Sequence, residues 1–127
     1  MRKRILELAK NAGSNGAHLG GSLSLVEILN VLYGRNLNLN PQDKNRDRII
    51  MSKGHGALAL YCILEKKGII SKEEADTFEQ NGTELFAHAK RNVEKGIEFS
   101  GGSLSLGLSF AVGVALYRHV SERRSIS

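Results

Sequence analysis

A short apolar, β-branched run, Arg48-Ile49-Ile50-Met51-Ser52, leads straight into the loop Lys53-Gly54-His55-Gly56, and an apolar helical run follows it. No other feature constrains the chain as much. A buried strand, a glycine-rich loop and a helix in succession form a unit of α/β folds, and such folds place ligands at that loop. The pattern predicts a strand over 48–52, His55 just past its carboxyl end, and a helix over about 57–67 broken by Gly68.

Two further segments share this glycine-rich character: Gly16-Ala17-His18-Leu19-Gly20-Gly21-Ser22 and Gly101-Gly102-Ser103-Leu104-Ser105-Leu106-Gly107. Glycine permits close backbone approaches that a side chain forbids. Three of the four histidines, His18, His55 and His88, lie in or beside loops rather than on a periodic apolar face. A histidine so placed can present a ring nitrogen to a ligand. The third segment precedes an apolar helical run, where helix-start N–H groups attract anions and glycine lets a phosphate come close. Together these loops suggest a polar small-molecule site. They match neither a dinucleotide fingerprint nor a Walker A loop, and no G-x-S-x-G marks a hydrolase.

The remaining pattern is mostly helical. Ile5, Leu8, Ala9 and Ala12 share one face of a first helix that Gly13 can end. Ser24 and Glu27 have the spacing of a capping box, ahead of Leu25, Ile28, Leu29 and Leu32. Residues 36–43 contain the sole proline, Pro41, and read as a loop. Asp47 reads as a turn or ion-pair residue with Arg48 as its companion. Ser71 and Glu74 form a second capping-box signature, before a short helix ending near Asn81-Gly82. Residues 83–103 read as irregular, and long loops in compact domains are often functional. A last helix runs from Leu104 to about Arg118, apolar around most of its circumference. That pattern predicts burial on more than one side.

Composition narrows the function classes. With 127 residues the chain can form one domain with a modest core. Its single cysteine, Cys62, sits in an apolar stretch and reads as a small buried hydrophobe. No Cys/His spacing reads as a zinc site. The net charge is +5. Six of the 18 basic residues are Arg2, Lys3, Arg4, Arg118, Arg123 and Arg124, facing one acid, Glu122, in those end segments. Residues 5–117 are therefore formally neutral, tryptophan is absent, and no basic stripe suited to nucleic acid is visible. No signal peptide or membrane span is apparent, so a cytoplasmic protein is the expectation.

The order Gly16-Ala17-His18-Leu19-Gly20-Gly21-Ser22-Leu23-Ser24, Asp47 to His55, His88, Gly96-Ile97-Glu98 and Gly102 to Ser109 resembles transketolase. It is most similar to the amino-terminal subunit of split bacterial transketolases, over about residues 2–117. Each motif is weak singly; their order and spacing are specific. The resemblance implies an α/β, helix-rich, partial thiamine diphosphate-binding fold with a parallel sheet flanked by helices. Residues 1–127 would be the amino-terminal part of that domain. It further implies two-carbon ketol transfer between sugar phosphates. By motif, His55 would contact the cofactor near its diphosphate, and the backbone at Gly102 and Leu104 would touch it. His18 and His88 would face the ketose, as catalytic residues that bind its hydroxyls or the developing oxyanion. The cofactor carries the hard step while the protein orients and stabilises charge.

The chain departs from the family pattern in places. His18-Leu19-Gly20 stands for the usual His-Pro-Gly, Ala87-His88-Ala89 for Gly-His-Pro, and Leu104-Ser105-Leu106-Gly107 for Leu-Gly-Gln-Gly. The family's metal-holding Gly-Asp-Gly and following asparagine are not in this sequence. The ring-activating glutamate belongs to the family's other domain. Mg²⁺ ligands are therefore expected outside this chain, which presents no metal site of its own by spacing. The expected partners are a carboxy-terminal subunit or downstream segment and a sugar phosphate, within an oligomer. Alone, the chain is expected to be inactive and to expose an apolar patch. A non-catalytic remnant or interaction module of the same fold is the alternative.

Overall fold

A computed structural model describes residues 1–124. Helix α4 (Ala57–Lys66) is its centre, and every residue from Ala57 to Leu64 is buried. A helix that is apolar all round must be enclosed. Here α1 (Arg2–Ala12), α2 (Leu19–Leu23), α3 (Val26–Gly34) and α5 (Lys72–Asp76) pack around α4. Tyr33, Tyr61 and Phe78 are the largest side chains that this packing removes from water. Cys62 is buried in the same core, which pushes its thiol up to about 12.

Several local expectations hold. Helix α1 buries Ile5, Leu8 and Ala12 and stops at Gly13, whose φ of +58° suits glycine. The Ser71 hydroxyl caps α5 by accepting from Glu74 N at 3.0 Å. That helix is shorter than the sequence suggests, ending at Asp76 rather than near 81–82. Gly68, at φ +71°, follows α4 as its breaker.

Other expectations fail for tertiary reasons. Ser24 does not cap α3. Its hydroxyl donates to Gly21 O and accepts from Lys53 Nζ, while Glu27 pairs with Arg2. Helix α3 buries Val26, Leu29 and Tyr33, leaving Ile28, Val31 and Leu32 outward. Asp47 is the turn residue expected, accepting from Asn38 N at 2.9 Å to close the 38–47 loop, but it forms no ion pair with Arg48 among the described residues.

The helix-rich character is as expected, but the parallel sheet is not seen among the described residues. No strand is formed among the described residues; one isolated antiparallel bridge joins Asn92 and Ile97. Residues 48–52 lead into the His55 loop as expected, but without a ladder. A strand exists only through a partner's backbone groups, and a parallel partner comes from a distant crossover. The segment lies beside residues 97–101, joined there by the ion pair of Arg46 with Glu98 rather than by ladder hydrogen bonds.

Helix α6 (Leu106–Arg124) is not enclosed on several sides as its apolar pattern asks, and it exposes the apolar patch expected of the chain alone. Over 106–121, Gly107 alone is buried, against Ser52, and the Phe110 ring sits 5.3 Å from that of Phe99. Leu106, Leu108, Val112, Leu116, Tyr117 and Val120 face outward. No described element packs on that side. An exposed apolar surface of this extent favours association. Sedimentation or light scattering of the chain alone is expected to show self-association, reversed by mild detergent. A monodisperse monomer at high concentration would contradict this. No helix among the described residues is long and apolar enough to cross a membrane.

Candidate functional site

Three loops far apart in sequence meet at the amino-terminal end of α4. His18 precedes α2, His55 lies in a single 3₁₀ turn (Gly54–Gly56) that opens α4, and His88 belongs to the irregular 83–103 segment. Their ring centroids are 4.6 Å apart for His18 and His55, 4.9 Å for His55 and His88, and 5.2 Å for His18 and His88. The three histidine-bearing segments therefore meet in one place.

Glycines make the convergence possible. A Cβ at Gly21 would stand 2.6 Å from the His55 carbonyl oxygen, so only glycine lets α2 press onto the His55 turn. The buried Ser22 hydroxyl donates to that same oxygen at 3.3 Å. A Cβ at Gly54 would stand 2.6 Å from both Gly102 N and His88 Nδ1. Gly54 is thus clasped between the His88 ring and the Gly101-Gly102 backbone. A Cβ at Gly101 would in turn meet Gly54 Cα at 2.8 Å.

His88 is held from its own side. The buried Tyr61 hydroxyl donates to Phe86 O at 2.9 Å, and the Glu79 carboxylate accepts from Ala87 N. Gly101 N donates to Ala89 O at 3.0 Å. Ser22, Tyr61 and Glu79 are supports that sequence reasoning missed. Nothing in their local pattern marks them, because each acts on a backbone group more than twenty residues away or across an irregular turn. Glu79 leaves one trace, a positive φ of 56°, but only in the structure.

The electrostatics suit a neutral His18 ring. Burial, and then the neighbouring His55 and His88, hold His18 below its ordinary value, with Glu79 pulling the other way. His18 is therefore a neutral imidazole at pH 7, able to donate from one nitrogen and accept at the other. His88 Nδ1 is buried without a hydrogen-bond partner. Gly102 lies beside this cluster, and apart from its chain neighbours no heavy atom lies within 4 Å of where its Cβ would stand. Leu104 is placed differently: it is 73% exposed, two residues further on.

A family profile described as "Transketolase, thiamine diphosphate binding domain" matches residues 2–124. The chain belongs to this family. It is 42% identical over 119 residues to a 6-deoxy-6-sulfo-D-fructose transketolase subunit of Clostridium sp. strain MSTE9, covering 91% of this chain and 42% of that subunit. It is also 42% identical over 118 residues to one of the subunits of an apulose-4-phosphate transketolase from Phocaeicola vulgatus, covering 91% of this chain and 41% of the relative. A transketolase of Staphylococcus aureus strain MRSA252 is 35% identical over 116 residues, covering 89% of this chain and 18% of the enzyme. The chain thus spans about two fifths of the length of the split subunits it matches. The family's cofactor is thiamine diphosphate.

One departure from the family pattern gains a physical meaning. Ser105, standing where the family usually has glycine, has a φ of +69°. For a residue with a Cβ, the left-handed region costs about 1–2 kcal/mol. Ser105→Gly is expected to raise stability by about 1 kcal/mol, read as a higher urea midpoint with an unchanged slope. A lower midpoint would show that the serine side chain contributes more than the strain costs.

Proposed function

We propose that this chain supplies the amino-terminal, diphosphate-binding portion of a transketolase that moves a two-carbon ketol unit between sugar phosphates. The observation that carries the reading is the meeting of His18, His55 and His88 around the Gly54–Gly102 contact. A carboxy-terminal subunit or downstream segment, with the Mg²⁺ ligands, completes the site. The assembly is an oligomer, and a cytoplasmic location goes with this activity.

The residues present fit a phosphorylated cofactor. The space beside Gly102 is open, and its backbone packs against Gly54, the residue before the exposed His55. Thiamine diphosphate, when bound, supplies the nucleophilic carbon and the electron sink for the two-carbon fragment. In this reading His55 donates a ring N–H toward the diphosphate, and the backbone at Gly102 and Leu104 lines the cofactor's path. His18 and His88 donate to the ketose hydroxyls and to the oxygen that gains charge in the transition state. Donors already in place when that charge develops stabilise it without reorganisation.

Calorimetry with thiamine diphosphate and Mg²⁺ tests the reading. The chain alone is expected to bind weakly or not at all, and to bind tightly once a split-transketolase partner and the Gly-Asp-Gly segment are supplied. In that assembly His88→Ala should spare cofactor binding and reduce ketol transfer by about 10²–10³-fold, as for loss of one oxyanion donor. Low-micromolar, metal-dependent binding by the chain alone would contradict the division of labour. Failure of the completed assembly to bind the cofactor would favour the non-catalytic alternative.

A further inference from the structure

We propose that His18, His55 and His88 form a binding site for one divalent transition-metal ion of the Zn²⁺ class, each ring giving one nitrogen. The inference does not depend on the proposed reaction, because this chain carries all three donors. One ligand nitrogen from each ring lies within 4.8 Å of the other two. Bonds of about 2.0–2.1 Å in a tetrahedral site place donors roughly 3.3 Å apart. The rings must therefore close by at most about 1.5 Å relative to their present spacing, a shift within reach of small χ1 and χ2 rotations. Among the described residues none of the three imidazoles makes a side-chain hydrogen bond, so coordination breaks nothing. His88 Nδ1 is buried and unpartnered, a state that costs free energy and that turning the ring toward an ion can relieve.

Donor chemistry selects the ion. Imidazole suits Zn²⁺, Cu²⁺, Ni²⁺ and Co²⁺, whereas Mg²⁺ and Ca²⁺ require oxygen. Among the described residues no carboxylate joins the cluster. Three protein donors leave a fourth position, which can take water or an anionic ligand. The same nitrogens cannot hold a metal and donate to a sugar, so occupancy by such an ion would block the site for a ketose.

Cobalt is the probe, because its visible absorption reports coordination number directly. Titration of the full chain with Co²⁺ is expected to saturate at one equivalent with the intense bands of a four- or five-coordinate ion, and Zn²⁺ should bleach them. His18→Ala, His55→Ala and His88→Ala should each weaken binding by more than the roughly 10–100-fold that loss of a ligand's supporting partner costs. His119→Ala, at an exposed histidine on α6, should leave the spectrum unchanged. Weak bands of a six-coordinate aqueous ion in the unaltered chain would overturn the proposal. So would equal binding by the unaltered chain and all three variants. Any variant that loses helical circular dichroism is replaced by its glutamine counterpart, and the spectrum of the unaltered chain decides independently of both.

Discussion

Gly54→Ala is expected to cost about 3 kcal/mol and to open the histidine cluster. The new methyl would stand 2.6 Å from Gly102 N and from His88 Nδ1, and 3.0 Å from Gly101 C. Two of those three atoms are backbone, so turning the His88 ring cannot by itself relieve the overlap. Overpacking usually costs about 1–3 kcal/mol, and backbone on one side with a clasped ring on the other puts this case at the upper end. Gly102→Ala is the matched control. Its added methyl enters open space, so stability should change by no more than about 0.5 kcal/mol. The two variants separate folding from ligand contact. Urea unfolding should move only for Gly54→Ala, whereas loss of cofactor binding by a stable Gly102→Ala assembly would place the ligand at that glycine. Equal urea midpoints for the two would refute the clasp.

The second large effect is at Arg46 and Glu98, which are 9% and 6% exposed and share a two-bond ion pair, both hydrogen bonds at 3.1 Å. Arg46→Leu leaves a buried carboxylate without a partner and is expected to cost about 3–5 kcal/mol. Removing both charges with Arg46→Leu and Glu98→Leu should recover most of that loss, because a well-packed apolar pair also ends the desolvation penalty. A double-mutant cycle in urea measures the coupling. A single-variant loss below about 1 kcal/mol, the range of exposed pairs, would show that the pair contributes no more than a surface bridge. The pair joins the 46–52 segment to 97–101, next to the Gly54–Gly101 contact. The single variant should therefore also loosen the site.

Neither partner of this pair stands out in the sequence as an interacting residue. They are 52 positions apart, and Glu98 appears only as part of the resemblance motif. The histidines are legible in a weaker sense. Their placement beside glycines marks them as loop residues with a chemical use, but no periodicity states that three loops meet. A search by Cys/His spacing is blind to donors gathered from positions 18, 55 and 88, because the fold rather than a local turn sets their distances.

What the sequence determined by itself is local. The amino-terminal helix with its Gly13 stop, the Ser71 cap and the α4 run with its Gly68 breaker all rest on neighbours within a few residues. Hydrogen bonds at those separations form wherever backbone preference allows, so a linear pattern suffices to read them. Tertiary structure decided which faces were covered. Ser24 took Gly21 O and Lys53 as partners in place of an α3 cap, and Val26 and Tyr33 turned inward in place of Ile28 and Leu32. It left 48–52 without a ladder and most of α6 in solvent, since pairing and burial require a second surface that the segment itself does not contain. The site lies between these limits: the glycines that permit close approach are visible in the chain, but which backbones approach is known only once three distant loops are folded onto the start of α4.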